Sequence, residues 1–216
     1  MLATVTAQQA ERLRKPMAGD CERWPSLRQG LTPVAVNLSA ADITDERLPE
    51  RIGALLDRHG LPGASLQVEI TEDGVLTDFD AARRIVRALR GMGIRVAIDD
   101  FGTGYSSLRY LRRLHPDTIK IDREFVQAAT TDGYSRRLVT AVADLAQSLR
   151  IDCIAEGVET AAELDVVTEI GIHLIQGFLL GRPRSAERAF RLGAAVPEAG
   201  PISWRAAEEV TTPIEP

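Results

Sequence analysis

Residues 94–104, Ile-Arg-Val-Ala-Ile-Asp-Asp-Phe-Gly-Thr-Gly, join an apolar strand pattern to two adjacent carboxylates and a glycine-rich turn. A buried strand rarely ends in two acidic residues, and like charges this close repel strongly unless a cation lies between them. The glycines that follow let the backbone approach a ligand closely. The stretch therefore predicts a divalent metal site, built on Asp99 and Asp100, at the C-terminal end of a parallel strand.

Strand-like and helix-like segments alternate on both sides of this stretch, from about residue 32 to residue 192. This alternation implies a parallel sheet with right-handed crossovers, and a period of roughly 20–35 residues favours a TIM-like (β/α) barrel. A closed barrel of this type needs eight strands, so we expect an α/β fold that is an incomplete barrel with six of them. The six predicted strands are residues 34–38, 66–70, 96–98, 118–121, 151–155 and 173–175.

The barrel core is expected to be flanked by an N-terminal segment of the same domain and by a C-terminal tail. In residues 1–30, the spacing of Leu2, Val5, Gln9 and Leu13 predicts a helix, followed by a polar loop. We expect no strand in this segment. Residues 31–192 form the predicted barrel core. Residues 193–216 contain four prolines and little apolar periodicity, so we expect a poorly ordered tail.

Composition excludes several classes of protein. The net charge is −5 and no basic stripe is present, which argues against a duplex nucleic acid partner. Two distant cysteines, Cys21 and Cys153, form neither a disulfide framework nor a zinc motif. The sequence has no apolar run of membrane-spanning length and no signal-peptide pattern at its start, so the expectation is a cytoplasmic protein without a membrane segment.

Every predicted strand ends in a polar residue. In a parallel α/β barrel these ends converge on one face, where active sites form. A set rich in carboxylates with one amide suits Mg²⁺ or Mn²⁺ rather than a thiolate-binding metal. Two such ions bridged by an aspartate are a standard device for attack on a phosphodiester, and a nearby lysine can orient the water. The polar residues are Asn37, Glu69, Asp99, Asp100, Lys120, Asp122, Glu156 and Gln176.

Six motifs in order give the chain a family resemblance. It resembles the EAL domain, the bacterial cyclic di-GMP phosphodiesterase of second-messenger signalling, over about residues 1–192. The motifs are Val36-Asn37-Leu38-Ser39, Glu69-Ile70-Thr71-Glu72, the segment 99–108 beginning Asp-Asp-Phe-Gly-Thr-Gly, Lys120-Ile121-Asp122-Arg123, the segment 155–160 reading Ala-Glu-Gly-Val-Glu-Thr, and Gln176-Gly177-Phe178.

The resemblance implies a role for each of these residues in hydrolysis of cyclic di-GMP to linear pGpG with two Mg²⁺ or Mn²⁺ ions. Lys120 and Glu156 are implied to position or deprotonate the attacking water. Glu72 is implied to hold the loop from Phe101 to Ser107, which shapes a homodimer interface in relatives. The implied metal ligands are Asn37, Glu69, Asp99, Asp100 and Asp122, with Asp99 bridging, and the implied outer substrate pocket contains Glu159 and Gln176.

One departure from the family pattern leaves alternatives open. The sequence has no Glu-Ala-Leu motif, whose glutamate is a metal ligand in the family and whose leucine and following arginine hold the dinucleotide. We therefore expect this chain to be an impaired phosphodiesterase. The alternatives are a catalytically inactive cyclic di-GMP receptor, a protein-interaction module, and an active enzyme whose true start lies upstream of Met1.

Overall fold

The computed structural model describes residues 3–5, 34–102 and 107–182. In this part of the chain, seven parallel strands form one sheet, and each strand pairs with the next in chain order. Sequential parallel pairing of this kind is the topology of a (β/α) barrel. The strands are β1 (Ala3–Val5), β2 (Val34–Leu38), β3 (Leu66–Thr71), β4 (Arg95–Phe101), β5 (Thr118–Ile121), β6 (Asp152–Ala155) and β7 (Leu174–Ile175).

Seven α-helices of the described residues lie between these strands. They are α1 (Leu48–His59), α2 (Glu72–Thr77), α3 (Phe79–Gly91), α4 (Ser107–Leu114), α5 (Arg123–Ala128), α6 (Gly133–Leu149) and α7 (Ala161–Ile170). Short 3₁₀ helices cover Asp42–Thr44 and Gly63–Ser65.

Apolar burial between the sheet and its helices holds these elements together. All four residues of β5 are buried, as are the first five residues of β3. Helix α3 is amphipathic, and one face packs on the sheet through Ala81, Ala82, Ile85, Val86 and Leu89. Removal of this apolar surface from water is the dominant favourable contribution to folding. The packed strands give the charged groups at their C-terminal ends a rigid support.

The sequence predicted the α/β class and the incomplete TIM-like barrel, and both are confirmed. The prediction that residues 1–30 supply no strand is wrong, because Ala3–Val5 forms β1 beside Val34–Val36. Val5 was expected on a helix. Pairing with the edge of β2 decides its conformation, because tertiary context overrides a weak local pattern. Strands β1 and β7 are not paired with each other in the described sheet, so this sheet is open.

The described residues fall within one compact unit, Met1–Pro183. Most of the predicted N-terminal helix and loop, and the whole tail 193–216, lie outside the described residues. The same is true of residues 103–106 in the predicted dimer loop.

Candidate active site

A buried lysine lies at the centre of the carboxylates that follow the strands. Lys120 on β5 is 1% exposed, and its Nζ lies 3.0 Å from Glu69 Oε2 and 2.9 Å from Asp99 Oδ1. Its side chain therefore reaches two neighbouring strands, β3 and β4. A buried ammonium needs compensating charge, and these contacts provide it.

Glu156 completes the set of acidic groups around Lys120. It directly follows β6, and its backbone N–H donates to the Ile121 carbonyl at 3.1 Å, which extends the β5–β6 pairing by one residue. Glu156 Oε1 lies 2.6 Å from Lys120 Nζ. Carboxylates from three elements thus meet one ammonium, as the predicted convergence of strand ends requires.

An irregularity in β4 brings Asp99 and Asp100 to the same side of the sheet. Successive strand residues normally point to opposite faces. The register between β4 and β5 shifts between Ile98 and Phe101, and Asp100 has a left-handed φ of 54°. As a result, ligand oxygens of Asp99, Asp100 and Glu156 all lie within 4.8 Å of one another. A bulge beside an active site commonly redirects a side chain in this way.

Asp122 lies beside Asp100. It is the N-cap of α5, and its Oδ1 accepts a hydrogen bond from the Glu124 backbone N–H at 2.7 Å. Burial raises the pKa of Asp100 above its ordinary value, and the neighbouring carboxylates of Asp99 and Asp122 raise it further. The C-terminal ends of β4 and β5 therefore bring Asp99, Asp100 and Asp122 together, where a cation would relieve the repulsion between their carboxylates.

The pKa values of the groups around Lys120 reflect burial first and the neighbouring charges second. Burial raises the pKa of Glu156 to about 7, with a further contribution from Asp99. Burial also raises the pKa of Glu69, although Lys120 opposes the shift. Burial alone would lower the pKa of Lys120, but its three carboxylate neighbours outweigh that effect and raise it. The lysine is charged, and the acids around it outnumber it.

Two residues of β2 and β3 extend the site on its other side. Asn37 is the register partner of Glu69 on the adjacent strand, so the two share one face of the sheet. The second carboxylate oxygen of Glu69, Oε1, is buried and accepts no hydrogen bond from the described residues. An orphaned buried carboxylate oxygen beside an amide fits a site that holds a cation.

Gln67 is a neighbour of this site that sequence reasoning missed. It is 1% exposed and lies two residues before Glu69 on the same face of β3. It opposes part of the rise that burial causes in the pKa of Glu69. The alternation of β3 could have located it, because residues i and i+2 share a face of a strand.

The remaining predicted residues lie at the margin of the lysine cluster. Glu72 is buried at the first position of α2, and the central part of the loop that it was expected to hold lies outside the described residues. Glu159 is exposed, and its backbone N–H donates to Glu163 Oε2 at 2.6 Å. Gln176 follows β7, and its backbone N–H donates to the Ala155 carbonyl at 2.9 Å, next to Glu156. Neither Glu159 nor Glu72 is among the carboxylates within 4.0 Å of the Lys120 ammonium.

No described helix combines the length and apolarity needed to cross a bilayer.

Known proteins are similar to this chain in both sequence and fold. It is 43% identical over 155 residues to the bifunctional diguanylate cyclase/cyclic di-GMP phosphodiesterase MucR of Pseudomonas aeruginosa, a match that covers 72% of this chain and 23% of MucR. The solved PaMucR phosphodiesterase in complex with c-di-GMP has a TM-score of 0.75 at 36% identity, covering 85% of this chain and 77% of that one. The manganese and c-di-GMP complex of Klebsiella pneumoniae BlrP1 at pH 6 has a TM-score of 0.68 at 36% identity, covering 79% of this chain and 44% of that one.

The curated relatives extend well beyond the matched region. The chain spans less than a quarter of the length of curated relatives such as MucR and the cyclic di-GMP phosphodiesterase NbdA of the same organism. The EAL domain family matches residues 10–183, which is most of the chain. The chain therefore belongs to the EAL domain family and is homologous to cyclic di-GMP phosphodiesterases.

Proposed function

We propose that this domain hydrolyses cyclic di-GMP to linear pGpG with two divalent cations, Mg²⁺ or Mn²⁺. The observation that carries the proposal is the group of carboxylates around Lys120, together with the bulge that turns Asp99 and Asp100 to one side. The c-di-GMP complexes of the related MucR and BlrP1 structures support the choice of ligand, and the manganese of BlrP1 supports the choice of cation.

The donor set fits divalent cations of this kind. It consists of oxygen donors on adjacent strands, which Mg²⁺ and Mn²⁺ prefer, and it includes the orphaned Glu69 Oε1. Asp99 interacts electrostatically with both Glu69 and Asp100, and the family resemblance makes it the residue that would hold both ions. We assign as ligands Asn37, Glu69, Asp99, Asp100 and Asp122. When bound, the cations would neutralise the phosphodiester charge and make water easier to ionise.

Lys120 and Glu156 act on the water in this proposal. Their contact of 2.6 Å holds both groups beside Asp99, so the ammonium can orient the water while the Glu156 carboxylate takes its proton. The water oxygen forms a new bond to phosphorus, and the bond from phosphorus to the 3′ oxygen breaks. That oxygen takes up a proton and becomes the 3′ hydroxyl of pGpG, so the ring opens without a redox partner.

We assign the outer substrate pocket to Glu159 and Gln176. Gln176 is joined by its backbone to the strand that precedes Glu156, which supports a place near the substrate. We also propose that Glu72 holds the loop from Phe101 to Ser107 and that this loop forms a homodimer interface, on the strength of the family resemblance alone.

The absence of a Glu-Ala-Leu motif from the sequence argues for reduced turnover by this chain. The family resemblance makes that glutamate a ligand of the first ion. Mg²⁺ readily retains water in its coordination sphere, so a water in place of the carboxylate would leave a looser site rather than none. A less well oriented substrate lowers the rate as well.

A single assay tests the proposal. The chain is incubated with cyclic di-GMP and Mn²⁺, and pGpG is separated by chromatography, with chelator and the Asp99→Asn variant as controls. Metal-dependent release of pGpG that both controls abolish supports the enzyme. Binding of cyclic di-GMP by calorimetry without any turnover supports the receptor instead, and the absence of both supports an interaction module.

A further inference from the structure

Three glycines lie one or two residues beyond candidate site residues, and each brings the backbone unusually close to a neighbour. Gly102 follows the Asp99–Asp100 pair, Gly157 follows Glu156, and Gly177 follows Gln176. The space around each can be judged from where a Cβ atom would lie. All three positions are crowded, whereas Gly60 and Gly171, at the ends of α1 and α7, face open space.

Gly157, just beyond the end of β6, packs against the first residue of α5. A Cβ at this position would lie 2.2 Å from Arg123 Cβ and 3.2 Å from its Cα, which no side chain can tolerate. Its φ of 66° is left-handed, which also favours glycine. Arg123 directly follows Asp122, the N-cap of α5. The backbone that carries Glu156 therefore rests on the backbone that carries Asp122.

Gly102 makes the corresponding contact on the other side of α5. A Cβ there would lie 3.3 Å from Cε2 of the Phe125 ring, and the φ of Gly102 is 107°. Phe125 also packs against the apolar cluster that contains Ile121 and Val126, so its ring is held in place. One helix of six residues thus touches both the loop beyond Asp100 and the loop beyond Glu156.

The last contact adds the end of β7 to the same assembly. A Cβ on Gly177 would lie 2.0 Å from the Val158 carbonyl oxygen. The Val158 N–H donates to the Gln176 carbonyl at 3.1 Å, and the Leu179 N–H donates to the Val158 carbonyl at 3.0 Å. Four consecutive strand ends are therefore joined through close contacts, in the order β4, β5, β6, β7, with the Phe125 side chain making the first contact and backbone atoms taking part in the other two.

We propose that helix α5 is a spacer and that Gly157 and Phe125 are positioning residues for the cation pair. Gly157 sets the distance between Glu156 and Asp122. Phe125 sets the distance between Asp122 and the loop that follows Asp100. Neither residue touches a reacting atom, and both act through the carboxylates that they hold. This inference rests on the proposed function, because it assumes that these carboxylates bind cations.

The first test compares two glycines with the same backbone conformation. Gly157→Ala and Gly60→Ala impose similar strain, at φ values of 66° and 61°, but only the first creates a clash. We expect Gly157→Ala to raise the Kd for Mn²⁺ by about 10- to 100-fold, as losses of groups that orient metal ligands do. Gly60→Ala should leave this Kd unchanged. Mn²⁺ binding is followed by electron paramagnetic resonance well below the Tm of each variant.

The second test separates positioning from general stability. Phe125→Ala and Val166→Ala both remove apolar atoms from the same cluster, but only Phe125 also contacts Gly102. Phe125→Ala should raise the Kd for Mn²⁺ and Phe125→Leu should raise it less, whereas Val166→Ala should lower the Tm alone. Arg123→Gly, which removes the clashing Cβ, should restore part of the affinity lost in Gly157→Ala.

The outcomes separate a failure of the spacer role from a failure of the proposed function. If the unaltered chain binds neither Mn²⁺ nor cyclic di-GMP, the proposed function is wrong and the spacer role is overturned with it. If the unaltered chain binds Mn²⁺ but Gly157→Ala binds it equally well, the spacer role alone is overturned. Equal losses of affinity in Gly157→Ala and Gly60→Ala would also overturn it, because backbone strain would then be the cause.

Discussion

Lys120 Nζ lies 2.6 Å from Glu156 Oε1, and these two groups belong to the ends of adjacent strands. The same ammonium also contacts Glu69 and Asp99, so one cation serves acids from three elements. Such a cluster holds strand ends together while the carboxylates remain mutually repulsive. The stability of the site and its affinity for cations are therefore linked.

Replacement of Lys120 by methionine should destabilise the cation-free protein strongly. The substitution leaves three carboxylates without their common partner, and loss of one member of a buried ion pair costs about 3–5 kcal/mol. The free energy of unfolding is measured by urea denaturation at pH 8 with chelator. Arg51→Met is the control, because the Arg51–Asp45 pair is exposed and worth about 1 kcal/mol or less. Similar losses in both variants would contradict the central role of Lys120.

The cation-free protein should lose stability as the pH rises through the titration of Glu156. Burial raises the pKa of this carboxyl from 4.5 to about 7, so in that range the folded state binds more protons than the unfolded state. The stabilising contribution is complete below pH 4.5 and is lost as the pH rises toward 7, at most about 3 kcal/mol in total.

Urea denaturation with chelator at a series of pH values measures this effect. Glu156→Gln lacks the titrating group, so its stability should change less between pH 4.5 and 7. An unaltered slope in the variant would show that another carboxyl, such as Glu69, carries the shift. Saturating Mn²⁺ should reverse the trend, because cations bind the deprotonated carboxylates.

Asp99→Asn should weaken cation binding more than Asp100→Asn. Both replacements remove one negative charge from the same bulge, but only Asp99 is proposed to bridge the two ions. Titration of Mn²⁺ or Mg²⁺ against each variant gives the two affinities. Equal losses would show that the bridging role is misassigned.

Addition of a segment with a Glu-Ala-Leu-x-Arg motif at the N-terminus should raise turnover of cyclic di-GMP. The added glutamate supplies the ligand that the family resemblance requires, and the leucine and arginine contact the dinucleotide. The 216-residue chain and the extended version are assayed side by side for pGpG release. An extension in which the motif glutamate is replaced by glutamine is the matched control. Full turnover by the 216-residue chain would show that this glutamate is dispensable.

The sequence by itself determined the architecture and most of the candidate site. The six strands predicted from apolar runs, including those that end near Asn37 and Glu69, are present as β2–β7. They could be predicted because the pattern that forms each strand is local and, among the described residues, β2 to β6 are each followed by a helix. Convergence of their polar ends then follows from parallel pairing, without knowledge of side-chain positions.

Only the tertiary structure decided which acids meet and how. Adjacent residues of a regular strand point to opposite faces, so regular strand geometry does not explain how Asp99 and Asp100 serve one site. The shift in pairing with β5 and the left-handed φ of Asp100 bring both to one side. Strand β1 also depends on the tertiary structure, because its pairing with β2 overrides the helical pattern around Val5. Both features depend on pairing with a strand that is distant in the sequence, and such tertiary context overrides what a local pattern favours.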